Sequence, residues 1–263
     1  METLTLQPAD DGVLRVRLRE SDWAAVLGVS GATLPEWATP LVPPGGALVA
    51  SEAVPDDALR DAVGLAGAVE VEVSAVAGTR GVLALLRTDG VVGSAVVRGI
   101  EALPQGSTTA TRPRPGVEVS AFPVGRLLDE VLRLVPPAPE TDVPDAVVPV
   151  ELTVALGRAI REGRTEMVEA ITADLGLEQP PAVVESLART LDGQLSVTVR
   201  SAGTARTSVG SWLRCDAGWV ELTPARGEML RHRVRTREQI GQTLLSDLTG
   251  RMDRALAAAR EAS

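Results

Sequence analysis

The sequence predicts an α+β fold: two degenerate helix–antiparallel meander–helix repeats, joined by a pseudo-twofold into one composite sheet with flanking helices. Three observations predict it. Two distant stretches, "LLRTDGVV" (residues 85–92) and "WLRCDAGWV" (residues 212–220), write the same hairpin, with Leu-Arg, a small polar residue and Asp-Gly or Asp-Ala-Gly before a hydrophobic step. The longer passages around them, "LAGAVEVEVSAVAGTRGVLALLRTDGVV" and "LDGQLSVTVRSAGTARTSVGSWLRCDAGWV", match element for element, down to a helix-ending Gly67 and Gly193. Each half alone would leave sheet edges and one apolar sheet face unsatisfied, so the halves are expected to share a sheet. The 263 residues suit one large domain or two halves of about 130. The expected division is a half-repeat over 1–137, a linker over 138–147 and a half-repeat over 148–263 with a helical insertion, together one composite domain.

Element by element, "SDWAAVLGVSG" predicts a short helix from Ser21, its N-cap, to Gly28 or Gly31. The Pro- and Gly-rich "TLPEWATPLVPPGG" is irregular. "PDDALRDAVGLAG" reads as a helix capped by Asp56 or Pro55 and closed by Gly67. Alternating Val69, Val71 and Val73, with turns at Gly78 and Asp89-Gly90, predicts a three-strand meander. Residues 103–116 read as a polar loop, "VEVSAF" as a fourth strand, and "PVGRLLDEVLRLVPP" as a helix stopped by Pro136-Pro137. Past the linker come three helices: one ended by Gly163, one running from Thr165 to Gly176, and one with Pro at its start and Gly193 past its end. Three strands follow, with turns at Ala202-Gly203 and Asp216-Gly218, then "MLRHRVR" as a fourth. The closing helix opens on a Thr236/Gln239 capping box and aligns Ile240, Leu244, Leu248, Met252 and Leu256 on one side.

Composition excludes several functions. All 26 basic residues are Arg, and the net charge of -9 argues against nonspecific nucleic-acid binding. The alternating Arg of "RHRVRTR" lacks interleaved aromatics and reads as the solvated face of a strand. A single cysteine excludes an internal disulfide framework and a multi-Cys metal site. No apolar run is long enough for a membrane span, and the N-terminus has neither the basic start nor the apolar core of a signal peptide, so a cytoplasmic protein is expected. A Walker loop is impossible without Lys, and neither G-x-G-x-x-G nor G-x-S-x-G occurs in the required context. The sole histidine, His232, and the sole cysteine, Cys215, would need to meet within about 3 Å to act as a dyad. Cys215 corresponds to Thr88 in the other repeat, which marks a turn position open to any small polar residue. No catalytic group, metal or cofactor is expected, and the chain reads as a non-enzyme.

What remains is surface. Trp212 and Trp219 flank the second hairpin, and Trp is enriched at interface hot spots. Two readings stand: both indoles pack between sheet and closing helix, or Trp212 and Arg214, alternating onto one side, form a binding platform.

The duplicated helix–sheet unit, the two hairpins, the Leu-rich "LLDEVLRLVPP" and the helical insertion before the second meander resemble the EspG family, cytoplasmic chaperones of type VII (ESX) secretion in actinobacteria. The resemblance covers residues 13–252. It implies an ATP-independent chaperone or adaptor that binds a helical secretion substrate, PE/PPE-like or WXG-type, and keeps it soluble for export, without cofactor. The family's contacts come from the central sheet and the C-terminal helical part. Carried onto this chain, they fall around Trp212, Arg214, Trp219, Arg231 and Arg233, and on the turn with Ala202, Thr204 and Arg206. The alternative is a small-ligand or regulatory binding protein using the cleft between the halves, which an enclosed apolar pocket would favour.

Overall fold

The computed structural model describes residues 3–9, 12–105, 108–202 and 207–261. In chain order the N-terminal part comprises β1 (Thr3–Leu4), β2 (Gln7–Pro8), β3 (Leu14–Leu18), α1 (Glu20–Ser30), β4 (Val54–Pro55), α2 (Asp57–Gly64), β5 (Val69–Ala77), β6 (Arg80–Thr88), β7 (Val92–Gln105), β8 (Thr108–Pro113), β9 (Val117–Pro123) and α3 (Leu127–Arg133). The remainder comprises β10 (Ala146–Pro149), α4 (Val150–Arg161), α5 (Thr165–Asp174), α6 (Ala182–Thr190), β11 (Gly193–Ser201), β12 (Thr207–Cys215), β13 (Gly218–Ala225), β14 (Met229–Arg235) and α7 (Arg237–Glu261).

Among the described residues one mixed helix-and-sheet architecture dominates: a 12-stranded sheet ordered β10-β14-β13-β12-β11-β5-β6-β7-β9-β3-β2, with β8 also paired to β7. All its pairs are antiparallel. The N-terminal and C-terminal parts meet in the middle, where β5 pairs with β11 from Val69↔Ser201 to Ala77↔Gly193.

Local chemistry explains the elements. Asp56 caps α2 by accepting from the Leu59 amide at 2.8 Å. The capping box of α7 is formed: Gln239 N–H donates to Thr236 Oγ1 at 3.2 Å and Thr236 N–H to Gln239 Oε1 at 3.1 Å. At the β6–β7 turn the Asp89 carboxylate accepts from the amides of Val91 (2.8 Å) and Val92 (3.0 Å), which holds it below the usual carboxylate range.

Four expectations are corrected. α1 starts at Glu20, with Arg19 and not Ser21 at the N-cap, while its end on a left-handed Gly31 is one of the two expected. α2 ends at Gly64, before Gly67. Residues 103–116 are not a plain loop, because β7 runs on to Gln105 and β8 pairs back along it from Ile100↔Pro113 to Gln105↔Thr108. The expected linker ends in β10, which adds an edge strand to β14.

The helices form three separate cores. One sheet face carries α3 and α7 over its centre, where Ile240, Leu244 and Leu248 pack on Val71, Val73, Leu195 and Val197. Each such buried side chain contributes roughly 1.5–3 kcal/mol of transfer free energy. The opposite face carries α1 and α2 at one end, around Trp23, Val26 and Leu59. It carries α4 to α6 at the other end, around Leu156, Ile160, Val183 and Val220. No described helix is long and apolar enough to cross a membrane.

Candidate functional site

Between the α1–α2 layer and the α4–α6 layer, the middle of that second face is bare. Burial along the strands shows where the cover stops. In β7, residues 93–98 are all buried, as are residues 218–220 of β13, the pattern of strands covered on both sides. In β5 and β11 burial alternates: Val69, Val71 and Val73, like Leu195, Val197 and Val199, face the α3–α7 core. Their neighbours Glu70, Glu72, Ser74, Val76, Gln194, Ser196, Thr198 and Arg200 face outward.

Register sets these residues in rows across β6, β5, β11 and β12. One row reads Arg87, Glu70, Arg200, Thr207; the next Leu85, Glu72, Thr198, Val209; then Leu83, Ser74, Ser196, Ser211; then Gly81, Val76, Gln194, Leu213. The first two rows hold an ion cluster. Arg200 Nη1 reaches Glu72 at 2.8 Å and Glu70 at 3.4 Å, and Arg87 Nε reaches Glu70 at 3.1 Å. These pairs hold the Arg200 guanidinium in its charged form, the Glu72 hydrogen bond most of all. The rest of the floor is hydroxyls, Gln194 and aliphatic side chains, of which Leu85 is buried at 2% exposed and Val209 is open at 64%.

A 3-10 turn, Glu36–Ala38, overhangs this floor from the α1–α2 side. Its half-buried Trp37 walls an open concavity of about 180 Å³ together with Glu72, Ser74, Leu83, Ser196 and Thr198. The turn is pinned from below: Trp23 Nε1 donates to the Ala38 carbonyl at 2.6 Å, Arg98 Nη2 to the Thr39 carbonyl at 3.0 Å and Arg87 Nη2 to the Thr33 carbonyl at 2.9 Å. An open groove of about 540 Å³ continues along the seam, past Val76, Gln194 and Leu213, to Leu191. Another concavity, about 410 Å³, contains Arg17 and Arg133. Glu118 occupies both, at 3.2 and 2.8 Å.

The sequence-predicted contact residues lie elsewhere. Trp212 and Trp219, each 1% exposed, belong to the α3–α7 core, which agrees with the packed reading of both indoles and corrects the platform reading of Trp212 and the placing of Trp219 among the contact residues. Strand parity is the reason: residues 212 and 214 point to the covered face while Val209, Ser211 and Leu213 point to the bare one. Arg214 lies on the covered side, donating from Nε to the Pro137 carbonyl at 2.9 Å and pairing with Asp192. Arg233 pairs with Asp145 at 3.0 Å. Arg231 is half-buried on the same side of β14 as Arg233, opposite to His232. Ala202 is exposed at the end of β11, and Thr204 and Arg206 lie outside the described residues.

Cys215 and His232 are both buried. Cys215 pairs with Gly218, whereas His232 pairs with Leu222, four residues further along β13. At about 3.4 Å per residue they stand roughly 14 Å apart along the strands, too far for a dyad. Burial pushes the thiol up and the imidazole down. No cluster of metal-ligating side chains occurs among the described residues. Trp37 was missed because the segment around it carries no periodicity; an aromatic inside a Pro-rich irregular stretch was the available signal.

No protein-family model matches the sequence, and no curated protein matches it. The fold does match a solved structure. The type VII secretion system chaperone EspG5 of Mycobacterium tuberculosis, in complex with a PE25–PPE41 dimer, aligns with a TM-score of 0.52 and 15% identity over 86% of this chain and 94% of that one. A DNA polymerase III subunit beta from Pseudomonas aeruginosa aligns with a TM-score of only 0.11, at 10% identity over 86% of this chain and 67% of that one. The chain thus has an EspG-like α+β fold with a large antiparallel sheet.

Proposed function

We propose that this protein is a cytoplasmic, ATP-independent chaperone or adaptor that docks a helical type VII secretion substrate, PE/PPE-like or WXG-type, on the bare centre of its sheet. The observation that carries the reading is that four-strand centre, walled by helices, in a chain with the fold of a secretion chaperone. The outer two of four strands stand about 14 Å apart, and an α-helix with side chains is about 10–12 Å across, so one helix or helical tip fits between the walls. Backbone hydrogen bonds of the floor are spent within the sheet. Recognition therefore falls to side chains: hydroxyls and Gln194 for hydrogen bonding, and Leu83, Val209, Leu213 and Leu191 for apolar contact. The concavities along the seam are open, which favours a macromolecular partner over a small ligand enclosed between the halves.

We also infer that the two halves descend from a duplication. From the β5–β11 seam outward the strands run β5, β6, β7, β9 on one side and β11, β12, β13, β14 on the other. A pseudo-twofold through the Glu72–Thr198 pair relates the two series.

The test is co-expression with the PE/PPE-like or WXG-type proteins encoded beside the gene, followed by affinity purification and size-exclusion chromatography. A stoichiometric complex, lost with Ser196→Arg or Val209→Asp at unchanged thermal stability, is the expected result. A folded, monodisperse protein that retains none of these neighbours would overturn the reading.

A further inference from the structure

We infer that the concavity between Trp37 and Glu72 receives a basic side chain, Lys or Arg, from the docked partner. The inference rests on the function proposed above and names one chemical requirement of the partner. Of the described groups lining the concavity, Glu72 alone is charged. Its Oε1 accepts from Arg200 at 2.8 Å, and its Oε2 has no partner among the described residues. Glu70, by contrast, commits both oxygens, to Arg200 and Arg87. Ser74, Ser196 and Thr198 add hydroxyl acceptors beside the free oxygen, and the Trp37 indole and Leu83 supply apolar walls.

Each class of side chain meets this chemistry differently. A carboxylate would face Glu72. An aliphatic group would strip water from an oxygen and three hydroxyls and return no hydrogen bond. A Lys or Arg lays its methylene stem on Leu83 and the indole, brings its cation to the ring face and the free carboxylate oxygen, and donates to the hydroxyls. The net charge of -9 favours the approach of such a group.

Trp37 reports on its own occupancy. The chain has four Trp, and the other three, Trp23, Trp212 and Trp219, are at most 1% exposed. Collisional quenching by acrylamide therefore reads Trp37. The experiment titrates the protein with the co-purifying pair of gene neighbours, following affinity and quenching together. Expected are loss of the quenchable component on binding and about tenfold weaker binding for Glu72→Gln and for Trp37→Ala, with Trp37→Phe largely restored.

Arg200→Gln separates contact from structure. It breaks the same Glu72–Arg200 pair as Glu72→Gln, yet frees the carboxylate for the partner, so binding is expected to hold or tighten. If the pair binds but Glu72→Gln and Arg200→Gln weaken it alike, or Trp37 stays quenchable in the complex, this inference is overturned while the chaperone reading stands. If no neighbour pair binds, the chaperone reading falls and takes the inference with it.

Discussion

Glu20→Ala is expected to destabilise the fold more than any surface change, and the structure gives the size. Arg98 is fully buried, and its guanidinium is held by both Glu20 oxygens, at 2.6 and 3.3 Å, and by the carbonyls of Thr39 (3.0 Å) and Arg114 (3.2 Å). Glu20 also accepts from the amides of Leu41 and Gly116, both at 2.7 Å. This one carboxylate therefore ties α1 to β7, to the segment after Trp37 and to the β8–β9 turn. Removing one partner of a buried pair costs about 3–5 kcal/mol because the other charge stays behind without compensation. The Glu20 side chain is 12% exposed, so water relieves part of this, and about 4 kcal/mol is expected. For a chain of this size that is a fall in Tm of roughly 8–16 °C.

Urea and thermal denaturation at pH 7 measure it directly, and Glu20→Leu with Arg98→Met should recover much of the loss by removing both charges. A cost below about 1 kcal/mol for Glu20→Ala would refute the reasoning. The same carboxylate predicts an acid limb. Burial pushes its pKa up, but the bonds from Arg98, Leu41 and Gly116 outweigh burial and hold it below its ordinary 4.5. Its contribution is therefore complete above pH 4.5 and lost as pH falls through the lower folded value. Glu20→Ala should lack that part of the wild-type acid transition.

Three further outcomes are expected. Burial holds the His232 pKa below its ordinary 6.5, despite backbone hydrogen bonds at Ala146 and Leu230. The unfolded chain therefore binds the proton first, and stability falls as pH drops below 6.5; His232→Gln should shrink the difference in Tm between pH 7.5 and 5.5. Trp212→Ala should cost about 3–5 kcal/mol as a core truncation, with partner retention in pull-downs tracking the folded fraction and no more. Thr236→Ala should cost about 1 kcal/mol by urea denaturation, through loss of the α7 capping box.

Much of this fold was legible because local chemistry and tertiary structure agree. Gly163 and Gly176 end α4 and α5 with φ of 66° and 70°, as a helix-stopping glycine should. The β7–β8 ribbon was hidden by Pro104 and Pro113, which read as loop. Backbone direction shows why strands tolerate them. Ala102 N–H points to Thr79 O, toward the β6 side, and Arg114 N–H points to Gly99 O, toward β7. By alternation, position 104 points to the side where β6 has already ended, and position 113 points outward, so neither proline removes a donor that the ribbon needs.

The candidate site was harder to read, for a reason of parity. β12 offers apolar side chains on both faces, Trp212 on one and Val209 and Leu213 on the other. Composition cannot say which face the long helix covers, so the packed and the platform readings of Trp212 both stood. β5 is less ambiguous: its outward residues are Glu70, Glu72 and Ser74, a polar series that marks an uncovered face once the opposite series is known to be buried.

A bare sheet centre and two sheet ends would ordinarily invite self-association, and the residues here answer each hazard. At one end, β10 turns the Val150 amide inward to Glu228 O at 3.0 Å, so by alternation positions 147 and 149 face outward, and position 149 is proline. Only Val147 offers an outward N–H, too little for a second copy to extend the ladder. At the other end, β2 is two residues long and one of them is Pro8. The bare centre is protected by chemistry and not by cover: its charges are matched two against two, and its middle row is three serines and one leucine. Such a floor stays hydrated alone and gains only from a partner that returns every hydrogen bond it displaces. That selects for fit over stickiness, as the docking role proposed above would require.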